Sequence, residues 1–286
     1  MKLSNKIKII VWNIGFINQS IESFMHNNEG FKVEWMNHSY RDRFFADPFV
    51  FAADNSYIYI LAEEYLFSEG KGRIVKLTVD KMTKKLCNNE RLIDTDYHLS
   101  YPFIFDNCIM PEQNKSGRWL SYDFNGRLKA TLANIGLIDS TIFNDGSDQW
   151  VFATEIEENK DSALRKIYRY KIVNGMIDEK TKMLVKDSLT ASRPGGNFFS
   201  YQGEWYRPAQ TSTESVYGES IAICKVISNT DTEYKEEVVR SVDTHTQKRF
   251  NQGMHTFNIA DDMIIVDGFE MQAHPLYKVQ YKIGHR

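Results

Sequence analysis

The residues in this sequence that are able to do chemistry fall at matched places. Asp47 stands before Pro48 at the head of the apolar run Phe49-Val50-Phe51, and Asp139 stands before Ser140-Thr141-Ile142-Phe143. Tyr101, Arg193 and His255 hold the same place ahead of three further runs. A second set follows the next strands: Glu64 after Tyr57-Ile58-Tyr59-Ile60-Leu61, Glu112 after Met110-Pro111, Glu155 after Phe152-Ala153-Thr154, and Arg207 with Gln210 after Trp205-Tyr206. Carboxylates grouped in this way take up and release protons. Two guanidiniums among them either neutralise the acids or grip a phosphate or carboxylate in forked geometry. His255 reads as a proton donor or as a hydrogen-bonding wall. Asn197 and Tyr217 complete the candidate binding set. Gly195-Gly196 reads as a close backbone approach to a ligand or as a tight strand start.

Positioning these groups requires a repeated scaffold, and the sequence supplies one. Each anchor opens a short apolar strand, a turn such as Ala53-Asp54-Asn55-Ser56 or Asn144-Asp145-Gly146, and a second strand. The anchors Asp47, Tyr101, Asp139, Arg193 and His255 are separated by 54, 38, 54 and 62 residues. Further strands follow at Arg73–Leu77, Lys166–Tyr170, Ile221–Val226 and Tyr277–Tyr281. Five units of three or four strands at this period predict an all-β, five-bladed β-propeller, a single domain over residues 1–286. Matched positions in the blades then converge on one end of its axis. Pro48 restricts the residue before it, so Asp47 is expected to be extended at the start of its strand. Ile7–Trp12 alternates as a strand and is expected to pair with the C-terminal blade and lock the ring. Asn18–His26 is the best helix candidate, with Ser20 as N-cap and Ile21, Phe24 and Met25 on one face. Phe31–Met36 is expected to lead into the first blade.

Composition narrows the function. A net charge of −3 gives no reason to expect a nucleic-acid partner. Cys87, Cys108 and Cys224 are odd in number, scattered and without metal-type spacing, so they read as free thiols in a reducing compartment. The apolar run from Ile7 to Trp12 is broken by Lys8 and bounded by Asn13, well short of a secretory core or a membrane span, and the expected location is the cytoplasm. No Gly-rich phosphate loop and no transition-metal spacing occurs, so neither cofactor nor metal is expected. Aromatic residues make up 13% of the chain, which suits packed sheets and also a carbohydrate-facing surface.

The stretch Ala46-Asp47-Pro48-Phe49-Val50 resembles the blade-one motif of the five-bladed propeller glycoside hydrolases, family 43 and its relatives. A longer series is similar to one branch of that group. It comprises Ser100-Tyr101-Pro102-Phe103, Met110-Pro111-Glu112, Asp139-Ser140-Thr141-Ile142-Phe143, Arg193-Pro194-Gly195-Gly196, Tyr206-Arg207-Pro208-Ala209-Gln210, Tyr217-Gly218 and Gly253-Met254-His255. The branch is the propeller domain at the N-terminus of plant glucosamine inositolphosphorylceramide transferase and in bacterial polysaccharide-locus proteins. The resemblance implies Asp47 as general base. Tyr101 stands where the family has a second, pKa-tuning acid, and Asp139 stands nearest to the general-acid Glu, one methylene shorter. Glu112, on the neighbouring strand, is the alternative acid. The implied activity is hydrolysis or transfer of a glycosyl unit in bacterial surface polysaccharide metabolism, on a carbohydrate, sugar phosphate or nucleotide sugar. The competing expectation is a glycan- or sugar-phosphate-binding propeller without catalysis.

Overall fold

The structure, a computed structural model, describes residues 8–26, 30–155 and 162–273. It opens with β1 (Lys8–Ile17), helix α1 (Ile21–His26) and β2 (Glu34–Trp35). Blade one follows as β3 (Arg43–Ala53), β4 (Tyr57–Leu66), β5 (Lys71–Asp80) and β6 (Leu86–Ile93). Blade two is β7 (Ser100–Phe105), β8 (Cys108–Glu112), β9 (Trp119–Tyr122) and β10 (Leu128–Ala133). Blade three is β11 (Leu137–Asn144), β12 (Gln149–Glu155), β13 (Lys166–Val173) and β14 (Met176–Asp187). Blade four is β15 (Phe199–Tyr201), β16 (Glu204–Thr211), β17 (Ser220–Asn229) and β18 (Tyr234–Val242). Blade five takes only β19 (Phe257–Ala260) and β20 (Met263–Ala273) from this end of the chain, and its order is β19-β20-β1-β2. The protein is therefore an all-β, five-bladed propeller closed by its N-terminal strand. All ten residues of β1 pair with β20, from Lys8 opposite Ala273 to Ile17 opposite Ile264. Phe31–Met36 does not lead into blade one as expected; its Glu34–Trp35 forms the outer edge of blade five instead. The expected strand Tyr277–Tyr281 lies outside the described residues.

Strand alternation explains why the ring closes. In β4 the residues Ile58, Ile60 and Ala62 point one way and pack with Val75 and Leu77 against Ile14, Phe16 and Ile265 of blade five. Leu61 points the other way and joins Ile74 against Ile109, Leu120 and Tyr122 of blade two. The remaining junctions repeat the device: Phe103 and Met110 meet Leu137 and Val151, Phe143 and Phe152 meet Phe198 and Trp205, and Tyr206 with Ile221 meets Phe257 and Ile264. A blade is thus apolar on both faces and cannot be stable alone. Helix α1 starts at a Ser20 cap, whose Oγ accepts from the Ser23 N–H at 3.3 Å, and buries Ile21 and Phe24 at the junction of blades four and five. Among the described residues no helix is long and apolar enough to cross a membrane.

The anchors of the first three blades share an unusual backbone. Asp47, Tyr101 and Asp139 have φ of 51°, 43° and 47°, each at a break in the register between its strand and the next. The expectation of an extended Asp47 at a strand start is corrected: it sits within β3, in the left-handed region. A β-bulge there turns the backbone N–H out of the ladder and towards the axis. The acceptors waiting for it are carboxylates. The Asp47 N–H donates to Asp267 Oδ2 at 3.1 Å, and the Tyr101 N–H donates to Asp47 Oδ2 at 3.1 Å.

Candidate active site

Two ion-paired carboxylates meet at the axis, each on a different side. On the first side, His255 Nδ1 lies 2.6 Å from Asp267 Oδ2 and 3.6 Å from Asp47 Oδ1. Asp267 Oδ1 also accepts the backbone N–H groups of His255 at 2.9 Å and Thr256 at 3.0 Å, while Thr256 Oγ1 donates to Asp47 Oδ1 at 3.1 Å. Burial alone would lower the basicity of His255, but Asp267 and then Asp47 outweigh it and raise its pKa to about 9. Burial likewise pushes Asp267 up, yet the imidazolium beside it holds the carboxyl below its ordinary value. Asp47 is raised to about 6, chiefly by burial, with the His255 charge opposing and Asp267 and Asp139 adding to the rise. Asp47, His255 and Asp267 offer one ligand atom each within 4.8 Å, a spacing also found in metal sites. The 2.6 Å contact between His255 and Asp267 is that of a charge-assisted hydrogen bond.

On the second side, Arg193 Nε and Nη2 donate to Asp139 Oδ2 at 2.9 and 2.6 Å, and Gln210 Nε2 donates to the same oxygen at 2.7 Å. Arg193 Nη2 also lies 3.8 Å from Glu112 Oε2. Glu112 is pushed well above the ordinary carboxylate range by burial and by Asp139, with Arg193 only partly offsetting them. The Arg193 guanidinium sits 5.3 Å over the Tyr217 ring, and Tyr217 meets the His255 ring edge-on at 5.5 Å. So Asp47, Glu112, Asp139, Arg193, Gln210, Tyr217 and His255 come together at one end of the axis.

Beneath them runs a belt of hydrogen bonds from blade to blade. The Tyr101 hydroxyl shares a proton with Thr141 Oγ1 at 2.9 Å and accepts from the Gly196 N–H at 2.7 Å. The Asn197 N–H donates to Asn258 Oδ1 at 2.8 Å, and Asn258 Nδ2 donates to the Pro48 carbonyl at 2.9 Å. Tyr101 and Asn197 are therefore parts of the frame. Gly196, at φ 142°, makes its close approach to blade five: a Cβ there would lie 2.1 Å from the Phe257 carbonyl oxygen.

Three named candidates are held elsewhere. Arg207 is fully buried within blade four, donating to Glu236 at 2.7 and 2.8 Å and to the carbonyls of Ser192 and Ala191 at 2.8 and 3.0 Å. It lies on the far face of β16 and is no part of the axial cluster. Glu64 pairs with Arg43 at 2.8 Å and Arg73 at 2.7 Å and accepts from Asn89. Glu155 is bound by Lys182 at 3.0 Å on the outermost strand of blade three. Side chains alternate along a strand, so the neighbour of Glu64 points the opposite way. That neighbour, Glu63, is buried, pushed well above the usual range by burial and then by the charges of Asp47 and Glu112, and its Oε1 has no hydrogen-bond partner.

The family described as "Glucosamine inositolphosphorylceramide transferase 1, N-terminal" matches residues 32–263. The chain belongs to this family. Curated members include the glucosamine inositolphosphorylceramide transferase 1 of Oryza sativa subsp. indica, 28% identical over 214 residues, and that of subsp. japonica, 27% identical over 212. Each alignment covers 69% of this chain and 28% of the relative, so the chain spans little more than a quarter of those proteins' length. Among solved structures, the GH43_1 enzyme from Xanthomonas citri complexed with xylotriose matches with a TM-score of 0.52 at 9% identity, over 82% of this chain and 88% of that one. An α-L-arabinofuranosidase from Lactobacillus brevis matches with a TM-score of 0.50 at 12% identity, over 82% and 87%. At such identities the likeness is one of fold.

This member of the transferase N-terminal family carries three axial residues that reading the sequence missed. Asp267 ends the apolar run Ile264-Ile265-Val266, the same signal that pointed to Glu112. Glu63 was one residue from the chosen Glu64. Trp12, whose ring stacks on His255 at 3.9 Å and 13°, belongs to the closing strand, where no repeat pattern marks it.

Proposed function

We propose that the axial cluster is the site of a carbohydrate-active enzyme that cleaves or transfers a glycosyl unit, with Asp47 as base and Glu112 as acid. One observation carries this reading: buried acids from different blades gather at one end of the axis in unlike surroundings, Asp47 beside His255 and Glu112 beside Asp139 and Arg193. Asp139 is held by three donors on one oxygen. Asp47 is raised to about 6, whereas burial and the charge of Asp139 push Glu112 well above the ordinary carboxylate range, which favours its protonated form. One group is then ready to take a proton and another to give one, which is the requirement for general acid–base chemistry at a glycosidic bond. Glu112 protonates the departing glycosidic oxygen as that bond breaks, and Asp47 accepts the proton of the attacking water or hydroxyl. Arg193, Gln210 and Tyr217 bind the sugar or its phosphate, and His255, fixed by Asp267, orients Asp47. The name of the plant relatives and the family membership support a glycosyl-transfer context. Surface polysaccharide metabolism in a bacterial cytoplasm, with a nucleotide sugar as donor, is the setting proposed, and the three free thiols suit that compartment. The five blades act as one functional domain.

A second reading, a glycan- or sugar-phosphate-binding propeller without turnover, is favoured by the saturation of Asp139. The test is thermal shift and turnover with nucleotide sugars, sugar phosphates and neutral glycosides, for wild type, Asp47→Asn and Glu112→Gln. The enzyme reading expects turnover that falls by about 10²–10⁴ in either variant while ligand stabilisation remains. Ligand stabilisation with no turnover on any class overturns it in favour of the binding module.

A further inference from the structure

A cavity of about 320 Å³ opens where blade five meets blade one, apart from the axial cluster. Arg43, at the head of β3, lies in its wall, and Asp47 follows four residues later, about 13 Å along the strand. Arg41 and Arg249 share the wall, and no carboxylate is among the lining side chains. The counter-acids stand behind. Arg43 donates to Asp42 at 2.7 Å and to Glu64 at 2.8 Å, and Arg249 donates to both oxygens of Glu270. Among the described residues these bonds use three of the five N–H groups of Arg43 and two of those of Arg249. Each guanidinium is therefore fixed from behind and keeps donors for a ligand.

Two further features belong to a built site. The Trp35 ring forms one wall and is seated on glycines of two adjoining strands. A Cβ at Gly15 would lie 2.8 Å from its Cζ3, and one at Gly268 2.5 Å from its Cη2. The His38 ring, edge-on to Phe45 at 5.2 Å, brings to the wall a buried Nδ1 that has no hydrogen-bond partner. Burial first and the charge of Arg41 second hold His38 below its ordinary value, so the ring is neutral at pH 7. A buried polar atom of this kind is costly until a partner is supplied, and a bound hydroxyl or oxyanion supplies one.

We propose that this cavity binds a sugar ring bearing an oxyanion, a phosphate or a carboxylate, which extends the carbohydrate reading above to a second site. The oxyanion meets the guanidiniums, the ring lies against Trp35, and His38 Nδ1 pairs with a hydroxyl or with the oxyanion. A hydrocarbon would leave three guanidiniums and His38 facing apolar atoms, and a neutral sugar would leave the charges unanswered. The cavity volume lies within the range of ordinary ligand pockets.

The experiment is calorimetric titration of the full chain with D-glucose, D-glucuronate, D-glucose 6-phosphate and inorganic phosphate. At least one acidic sugar is expected to bind about tenfold or more tightly than both glucose and inorganic phosphate, the worth of one charged hydrogen bond. Tighter binding of the 6-phosphate assigns the oxyanion as phosphate, and tighter binding of glucuronate assigns it as carboxylate. Arg249→Gln and His38→Phe are each expected to weaken that binding by about tenfold or more. The Arg249 side chain is 58% exposed, so its variant keeps the wild-type unfolding temperature. Absence of binding by either acidic sugar, or equal affinity for glucose or inorganic phosphate, overturns the proposal. Affinity unchanged in both variants also overturns it and places the acidic sugar elsewhere. The axial reading fails separately, because it is judged by turnover in Asp47→Asn and Glu112→Gln, and those variants leave this titration unchanged.

Discussion

Arg193 gives two of its hydrogen-bond donors to a single oxygen of Asp139, at 2.6 and 2.9 Å, and its Nη2 stands 3.8 Å from Glu112. The guanidinium is therefore the counter-charge that lets two buried acids lie side by side. Burying a charge is tolerable only with its partner present. Arg193→Met is expected to cost about 3–5 kcal/mol of stability in urea unfolding, and combining it with Asp139→Leu to restore most of that loss. If the double variant is no more stable than the single one, the pair is not the unit that balances this cluster.

The pH dependence of any glycosyl turnover follows from the two groups assigned to it. Asp47 must be ionised, so the rate rises with pH through about 6. Glu112 must be protonated, and its carboxyl is held well above the ordinary range, so the rate falls again on the alkaline side. In Glu112→Gln the alkaline limb disappears while the acid limb remains. Retention of both limbs in that variant would assign the acid role to another residue.

Stability responds to pH in a separate window. His255 is raised from 6.5 to about 9, so its contribution is full below about 6.5 and lost as pH rises through 9. The expected loss is about 3 kcal/mol, read from chemical denaturation between pH 6.5 and 9. Asp47, also raised, loses its contribution between its ordinary value of 3.8 and about 6, below this range. His255→Gln is expected to reduce the slope from pH 6.5 to 9, the remainder belonging to Glu63 and Glu112, whose carboxyls are also held above the ordinary range. A slope unchanged by the substitution would place the titration elsewhere.

Gly72 lies behind Glu63 and makes the space it occupies. A Cβ at this position would stand 2.3 Å from Glu63 Oε1 and 2.5 Å from the Leu99 carbonyl oxygen. Gly72→Ala is expected to destabilise by about 1–3 kcal/mol through overpacking. Adding Glu63→Ala relieves the side-chain clash but not the backbone one, so thermal unfolding should show only partial rescue.

The ring depends on its first strand. Since β1 pairs along its whole length with β20, a chain beginning at residue 21 leaves blade five with two strands and an open ring. Such a truncation is expected to lose cooperative unfolding by circular dichroism; a sharp transition at the wild-type temperature would show that the closure is dispensable.

The repeated order of anchor, strand, turn and strand determined the five-bladed fold by itself, because apolar alternation and turn chemistry are local and written in consecutive residues. The closing role of the N-terminal strand was legible because Ile7–Trp12 alternates as a strand outside the five repeated units. Asp47, Glu112, Asp139, Arg193 and His255 were legible as a group because equivalent positions in successive blades must face one axis.

What the sequence does not carry is direction and partnership. Glu63 and Glu64 are adjacent, and only the register of β4 against β3 decided that Glu63 faces the axis while Glu64 goes to Arg43 and Arg73. Arg193 and Arg207 look alike in sequence, yet Arg207 was taken up by Glu236 on an outer strand 29 residues away. The left-handed backbone of Asp47 came with an acceptor on blade five, Asp267, and a donor on blade two, the Tyr101 N–H, in spite of the extended preference that Pro48 imposes locally. The protonation states of Asp47, Glu112 and His255 were set by burial and by charges brought from distant blades. Such effects act across space at a few ångströms, and only the closed ring supplies those distances.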